Sequence, residues 1–200
     1  MTRKIFLLAI SFISFSIANA QFIENNALYA TGELNFGNYL GMDLNLNYVI
    51  KEKYSIKIGY SGNLRKPKSQ PEDFTTGVTG ILVFGANSPM DKFESFGATV
   101  GRIYKMNQSG TIRINLSLGA GYTIYTEPDN WEKINTNTVS LSKNYTYDYV
   151  KHKTISLIVN PKIEFPITRY WGLSASPMLQ INKDRTYFGI GLGTMLGLLR

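Results

Sequence analysis

The stretch that decides the fold is Tyr187-Phe188-Gly189-Ile190-Gly191-Leu192-Gly193-Thr194-Met195-Leu196-Gly197-Leu198-Leu199-Arg200. Phe188, Ile190, Leu192, Leu196 and Leu198 share one parity, and Gly189, Gly191, Gly193 and Gly197 share the other. Thr194 is the one polar member of the first set and Met195 the one bulky member of the second. Side chains alternate faces along a strand, so one face is apolar and the other nearly bare. Repeated in segments of about ten residues, this is the pattern of strands with lipid outside and a packed lumen inside.

Seven upstream segments repeat it. Leu28, Ala30, Gly32, Leu34 and Phe36 alternate with Tyr29, Thr31, Glu33 and Asn35. After a Gly37-Asn38 step, Leu40, Met42, Leu44, Leu46, Tyr48 and Ile50 alternate with Gly41, Asp43, Asn45 and Asn47. Tyr54 to Ser61 follows the short Lys51-Glu52-Lys53 turn. Phe96, Ala98 and Val100 form the weakest segment, because Arg102 shares their parity. Ile112 to Tyr122, Ile155 to Phe165 and Trp171 to Asn182 complete the set. Pro161 and Pro177 fall on the apolar parity of the last two, opposite each other if the turn centres on residue 169. Each predicts a bulge or a gap in the hydrogen-bond ladder. Segment 78–86 (VTGILVFGA) is apolar on both parities, and reads as a loop element or as part of a ten-stranded barrel.

The first twenty residues are of another kind. Arg3 and Lys4 precede the apolar run Ile5 to Ile17, and Ala18-Asn19-Ala20 supplies an A-x-A site. This predicts a signal peptide over 1–20, cleaved after Ala20, and a barrel domain over 21–200. No later apolar run reaches the roughly 18 residues a membrane helix needs. The absence of cysteine excludes disulfides and lipid attachment through a cysteine. Without Arg3 and Lys4 the net charge is about +5. The cations are scattered and follow no nucleic-acid-binding motif, whereas they suit an anionic lipopolysaccharide surface.

The expected fold is all-β: a single eight-stranded antiparallel up-and-down transmembrane β-barrel. Connections near 51–53, 105–110 and 167–170 are short, while 65–93 and 127–151 are long and polar. Short turns belong on the periplasmic side and long loops outside, so the N-terminus is expected in the periplasm.

Carried by the dyad segments, the N-terminal signal and the YFGIGLG run of 187–193, the chain resembles small outer-membrane barrels of the outer membrane protein A, X and W type. The likeness covers about residues 27–200. It implies a Gram-negative outer-membrane location, contact with outer-membrane lipids and lipopolysaccharide, and delivery by periplasmic chaperones and the barrel-assembly machinery. It brings no cofactor, metal or catalytic motif with it.

The inward parity carries Glu33, Asp43, Lys57, Arg113, Lys162 and Glu164. An eight-stranded barrel is only wide enough for side chains to fill, and charges within it must pair to offset lost hydration. Three acids against three bases predict a neutral polar plug. Rearranged pairs would instead give a narrow ion or small-solute path. His152, the single histidine, invites comparison with lipid A-modifying barrels through Asp148 and Ser156. Four-residue spacing along a strand spans ~13 Å, too far for a nucleophile and its base. Trp131, Tyr145, Tyr147 and Tyr149 make the second long loop aromatic, a composition suited to recognition or to the membrane interface. The leading functional reading is a non-enzymatic surface protein, structural or ligand-binding through its outer loops. A narrow channel and a His152 enzyme are the alternatives.

Overall fold

The computed structural model describes residues 25–76, 88–134 and 143–199. Through them run β1 (Ala27–Gly37), β2 (Leu40–Ile50), β3 (Tyr54–Arg65), β4 (Asp91–Lys105), β5 (Arg113–Lys133), β6 (Tyr145–Val159), β7 (Lys162–Pro166), β8 (Trp171–Ile181) and β9 (Thr186–Leu198). Every neighbouring pair is antiparallel, and β1 pairs with both β2 and β9, closing the sheet into a ring. β6 and β7 together fill the place between β5 and β8. They are one stave interrupted at Asn160-Pro161, so the nine strands build an eight-staved barrel.

The interruption is a gap and not a bulge. Val159 lies opposite Leu118 and Leu179, and beyond the break Lys162 lies opposite Asn115 and Ile163 opposite Ala175. Partner numbers continue without an inserted residue, which sets Pro161 opposite Pro177. Neither proline has an N–H to give across the strands. Asn160 fills in: its side-chain nitrogen donates to the Pro177 carbonyl at 3.1 Å, and its backbone N–H to the Ser117 carbonyl at 3.0 Å.

The core is turned inside out. Leu34, Phe36, Leu44, Ile58, Val100, Leu118, Leu192 and Leu196 are exposed on the outer wall, and Ile155 is 74% exposed. Thr31, Glu33, Asn35, Asp43, Asn47, Ser61, Asn115, Glu164 and Ser176 are buried inside. The parity read from the sequence therefore sorts lipid-facing from lumenal side chains. Arg102, on the outward parity of β4, is exposed with its guanidinium 5.3 Å from the Tyr104 ring.

The long connections differ from expectation. β5 and β6 continue as a hairpin to Lys133↔Tyr145, well into the stretch 127–151 expected as a loop. Outside the membrane both faces of a hairpin meet water, so the apolar contrast that marks a strand disappears while the backbone pairing persists. The signal segment 1–20 and segment 78–86 lie outside the described residues. β3 and β4 pair directly from Tyr54↔Arg102 to Arg65↔Asp91, leaving no place between them for a further strand.

Candidate functional site

All six predicted charges sit in the lumen. The Arg113 guanidinium lies 2.7 Å from Glu164, whose carboxylate also accepts the Tyr29 hydroxyl at 2.7 Å. Arg113 donates in addition to the Leu199 carbonyl at 2.9 Å. Lys162 lies 2.5 Å from Glu33. The third expected pair does not form: Asp43 accepts from Asn35 at 2.7 Å, and Lys57 donates to the Asn160 side-chain oxygen. Register explains the difference. Lys57 stands opposite Asn47, four residues along β2 from Asp43, a separation of ~13 Å. Charge balance was visible in the sequence, but which charges share a level was not.

The glycine face of β9 makes room for this network. Glu33, Gly193 and Ser174 form one row across β1, β9 and β8. With no side chain at Gly193, the Glu33 carboxylate crosses β9 and accepts from Ser174 at 2.8 Å and Ser176 at 2.5 Å. A Cβ at Gly193 would stand 2.7 Å from Glu33 Cγ and 2.0 Å from the Gly32 carbonyl oxygen.

Two apolar layers close the polar band, and sequence reading missed both. Ala27, Tyr29, Val49, Ile103, Met195 and Leu199 cluster at the short-turn end. Tyr39, Phe93, Tyr125, Met178 and Tyr187 cluster at the loop end, with Phe93 stacked on Tyr187 at 5.7 Å. These are inward-parity residues, which read as exceptions to the pattern until the register brings them to one level. Between the layers, one pocket beside Asp43, Lys57, Thr99 and Gln180 measures about 20 Å³, room for about one water molecule.

Outside the barrel, the β5–β6 hairpin gathers its aromatics. Trp131 lies 4.9 Å from Tyr147 and 5.4 Å from Phe74, and Tyr147 meets Tyr149 edge-on at 5.5 Å. The segment before residue 77 is clasped to the hairpin: Asp73 accepts from Lys133 at 2.6 Å and from the Tyr145 hydroxyl at 2.7 Å. These hydrogen bonds hold the Asp73 carboxyl below the usual aspartate range, and the same contact raises Lys133. Lys143 stands 4.5 Å over the Tyr147 ring and Lys92 5.9 Å over Tyr149. The four aromatics singled out from sequence thus form one connected surface, rigidified by Phe74.

The histidine constellation does not assemble. His152 faces Glu127 at 3.4 Å and stacks on Tyr125 at 6.1 Å. Asp148 is exposed opposite Asp129, and the Ser156 hydroxyl is shared with Thr123 at 2.6 Å. Partial burial favours the neutral form of Glu127, but hydrogen bonds from Tyr125 and Arg185 prevail and hold its carboxyl below the usual range. Among the described residues no group of three or more histidine and carboxylate side chains comes together as metal ligands.

No family model matches the chain, and no curated protein matches it. Solved structures do. Ail, the attachment invasion locus protein of Yersinia pestis, has a TM-score of 0.52 at 12% identity, over 87% of this chain and 99% of that one. Its complex with the heparin analogue sucrose octasulfate gives 0.53 at 12% identity, with the same coverage. Neisserial surface protein A gives 0.51 at 11% identity, over 86% and 96%. At these identities the likeness is one of fold, and that fold is the small outer-membrane β-barrel.

Proposed function

We propose that this chain is a non-enzymatic protein of the bacterial outer membrane, with a filled lumen as its structural plug and the β5–β6 hairpin as its recognition surface. The observation that supports the reading is the crowded lumen, where Arg113 pairs with Glu164 and Lys162 with Glu33 between two apolar clusters. A continuous belt of outward aliphatics matches a lipid environment. The segment 1–20, cleaved after Ala20, would deliver the chain to the periplasm, its chaperones and the barrel-assembly machinery, with the N-terminus left on that side. Lys92, outward at the base of the hairpin, suits the phosphates of lipopolysaccharide. Ail, of the same fold, holds a heparin analogue in one of its structures. For this chain the basic, aromatic hairpin supports a surface ligand of its own.

The test joins two measurements on refolded protein. In planar bilayers the barrel should give no steady conductance, and a stable open level would replace this reading with the narrow channel. On glycan and protein arrays, proteoliposomes carrying the intact chain should bind where a hairpin-trimmed chain does not. Equal binding by both would remove the recognition role. Mass spectrometry of lipid A should be unchanged by His152→Ala.

A further inference from the structure

β6 outruns its neighbour. It pairs with β8 only at Leu157, Ile158 and Val159, while its pairing with β5 extends to Tyr145. From Tyr145 to Ser156 the other edge of β6 has no strand partner among the described residues. At the usual rise per residue this edge is about 40 Å long. In an antiparallel ladder alternate residues turn both N–H and C=O to the same side, so the edge offers a regular row of donors and acceptors that no strand among the described residues pairs. Such a row is a template for one more strand.

The side chains beside it select what can add. Tyr149, Lys151 and Lys153 are exposed on the outer face, alternating with Val150, His152 and Thr154. Lys105, Lys133, Lys162 and Lys183 each meet a carboxylate. Lys151 and Lys153 meet none among the described residues, although they lie two apart on one strand. Lys92 adds a third positive charge at the level of Lys151, with Thr126 between them. Like charges on one edge also disfavour pairing with basic strands.

We infer that the free edge of β6 binds an extended acidic peptide segment by strand addition. The backbone of that segment pairs with Tyr145 to Thr154, above the lipid-facing Ile155, and carboxylates two residues apart face Lys151 and Lys153. The inference rests on the hairpin being a recognition surface, but assigns binding to its edge rather than its aromatic face.

The full chain, refolded in nanodiscs of zwitterionic lipid, is titrated with three synthetic probes. These are a short peptide alternating glutamate and threonine, its lysine-threonine counterpart, and the acidic peptide methylated at alternate backbone nitrogens. Hydrogen exchange is read at the amides of β6. The acidic peptide should slow exchange at the edge by about tenfold or more, and the other two should not. The Lys151→Glu/Lys153→Glu variant should reverse the preference between acidic and basic peptides while barrel amides stay protected. No slowing at saturating acidic peptide would overturn the inference. Equal slowing by the methylated peptide would reduce it to charge attraction, and slowing without peptide at dimer mass would assign the edge to a second copy. If the edge fails while Trp131→Ala still abolishes array binding, the recognition surface stands and only strand addition is lost.

Discussion

Arg113 on β5 and Glu164 on β7 stand directly opposite each other, guanidinium and carboxylate 2.7 Å apart, both shielded from water inside the barrel. The pair bridges the lower half of the interrupted stave to its neighbour, so it joins lumenal charge to wall integrity. Removing one partner of a buried pair costs about 3–5 kcal/mol, because the other charge is left uncompensated. Arg113→Ala should lower the unfolding free energy by that order. Lys143→Ala, out on the hairpin, should barely change it. Urea titrations from lipid bilayers compare the two, and equal values would mean that water reaches the Arg113 site.

Asn160 substitutes for the hydrogen bonds that two prolines cannot make. Asn160→Ala leaves the Pro177 carbonyl and the Lys57 ammonium without their partner, a loss of about 1–3 kcal/mol. Pro161→Val alone should be close to neutral. In the Asn160→Ala background it should recover part of the loss by returning an N–H to the gap. Failure of that recovery in the same titrations would show that Asn160 acts through Lys57 and not through the ladder.

Gly193→Val should prevent closure. Its Cβ would collide with the Gly32 carbonyl and with Glu33, on the very strand that completes the ring. The expected result is loss of the folded, faster-migrating band in unheated electrophoresis after refolding. Outward Leu192→Val, one residue away, should fold normally.

The Asp73 clasp should open in acid. Its carboxyl is held below the ordinary aspartate value by hydrogen bonds from Lys133 and Tyr145, so the folded form is the better acid. Such a group contributes stability that is complete above the unfolded value, about pH 4, and is lost as pH falls through the lower folded value. Fluorescence of Trp131, in contact with Phe74 of the clasped segment, should shift below about pH 4 and stay constant from there to neutrality. Asp73→Asn should abolish the shift. A transition that persists in Asp73→Asn would place its origin outside the clasp.

Much of the barrel was legible because lipid imposes a strict alternation. Phe188 to Leu198, Leu28 to Phe36 and Leu40 to Ile50 could be read to within a residue or so of their ends. Legibility stopped where that pressure stops. The hairpin from Glu127 to Lys133 is wet on both faces and carries no dyad contrast. Tyr39, Phe93, Met178 and Tyr187 gather from four parts of the chain, so no single segment announces their layer. The six lumenal charges were visible as a neutral set. The Asp43–Lys57 pair failed because parity gives the face and says nothing of height.

The unbroken register across Asn160-Pro161 has a mechanical consequence. The circumference and tilt of a barrel depend on strand count and stagger, and a gap without insertion changes neither. The wall can therefore lose main-chain bonds at one point and transmit no distortion around the cylinder. A single side chain acts there as a rivet, and whatever replaces it alters local strength while the shape of the vessel stays the same.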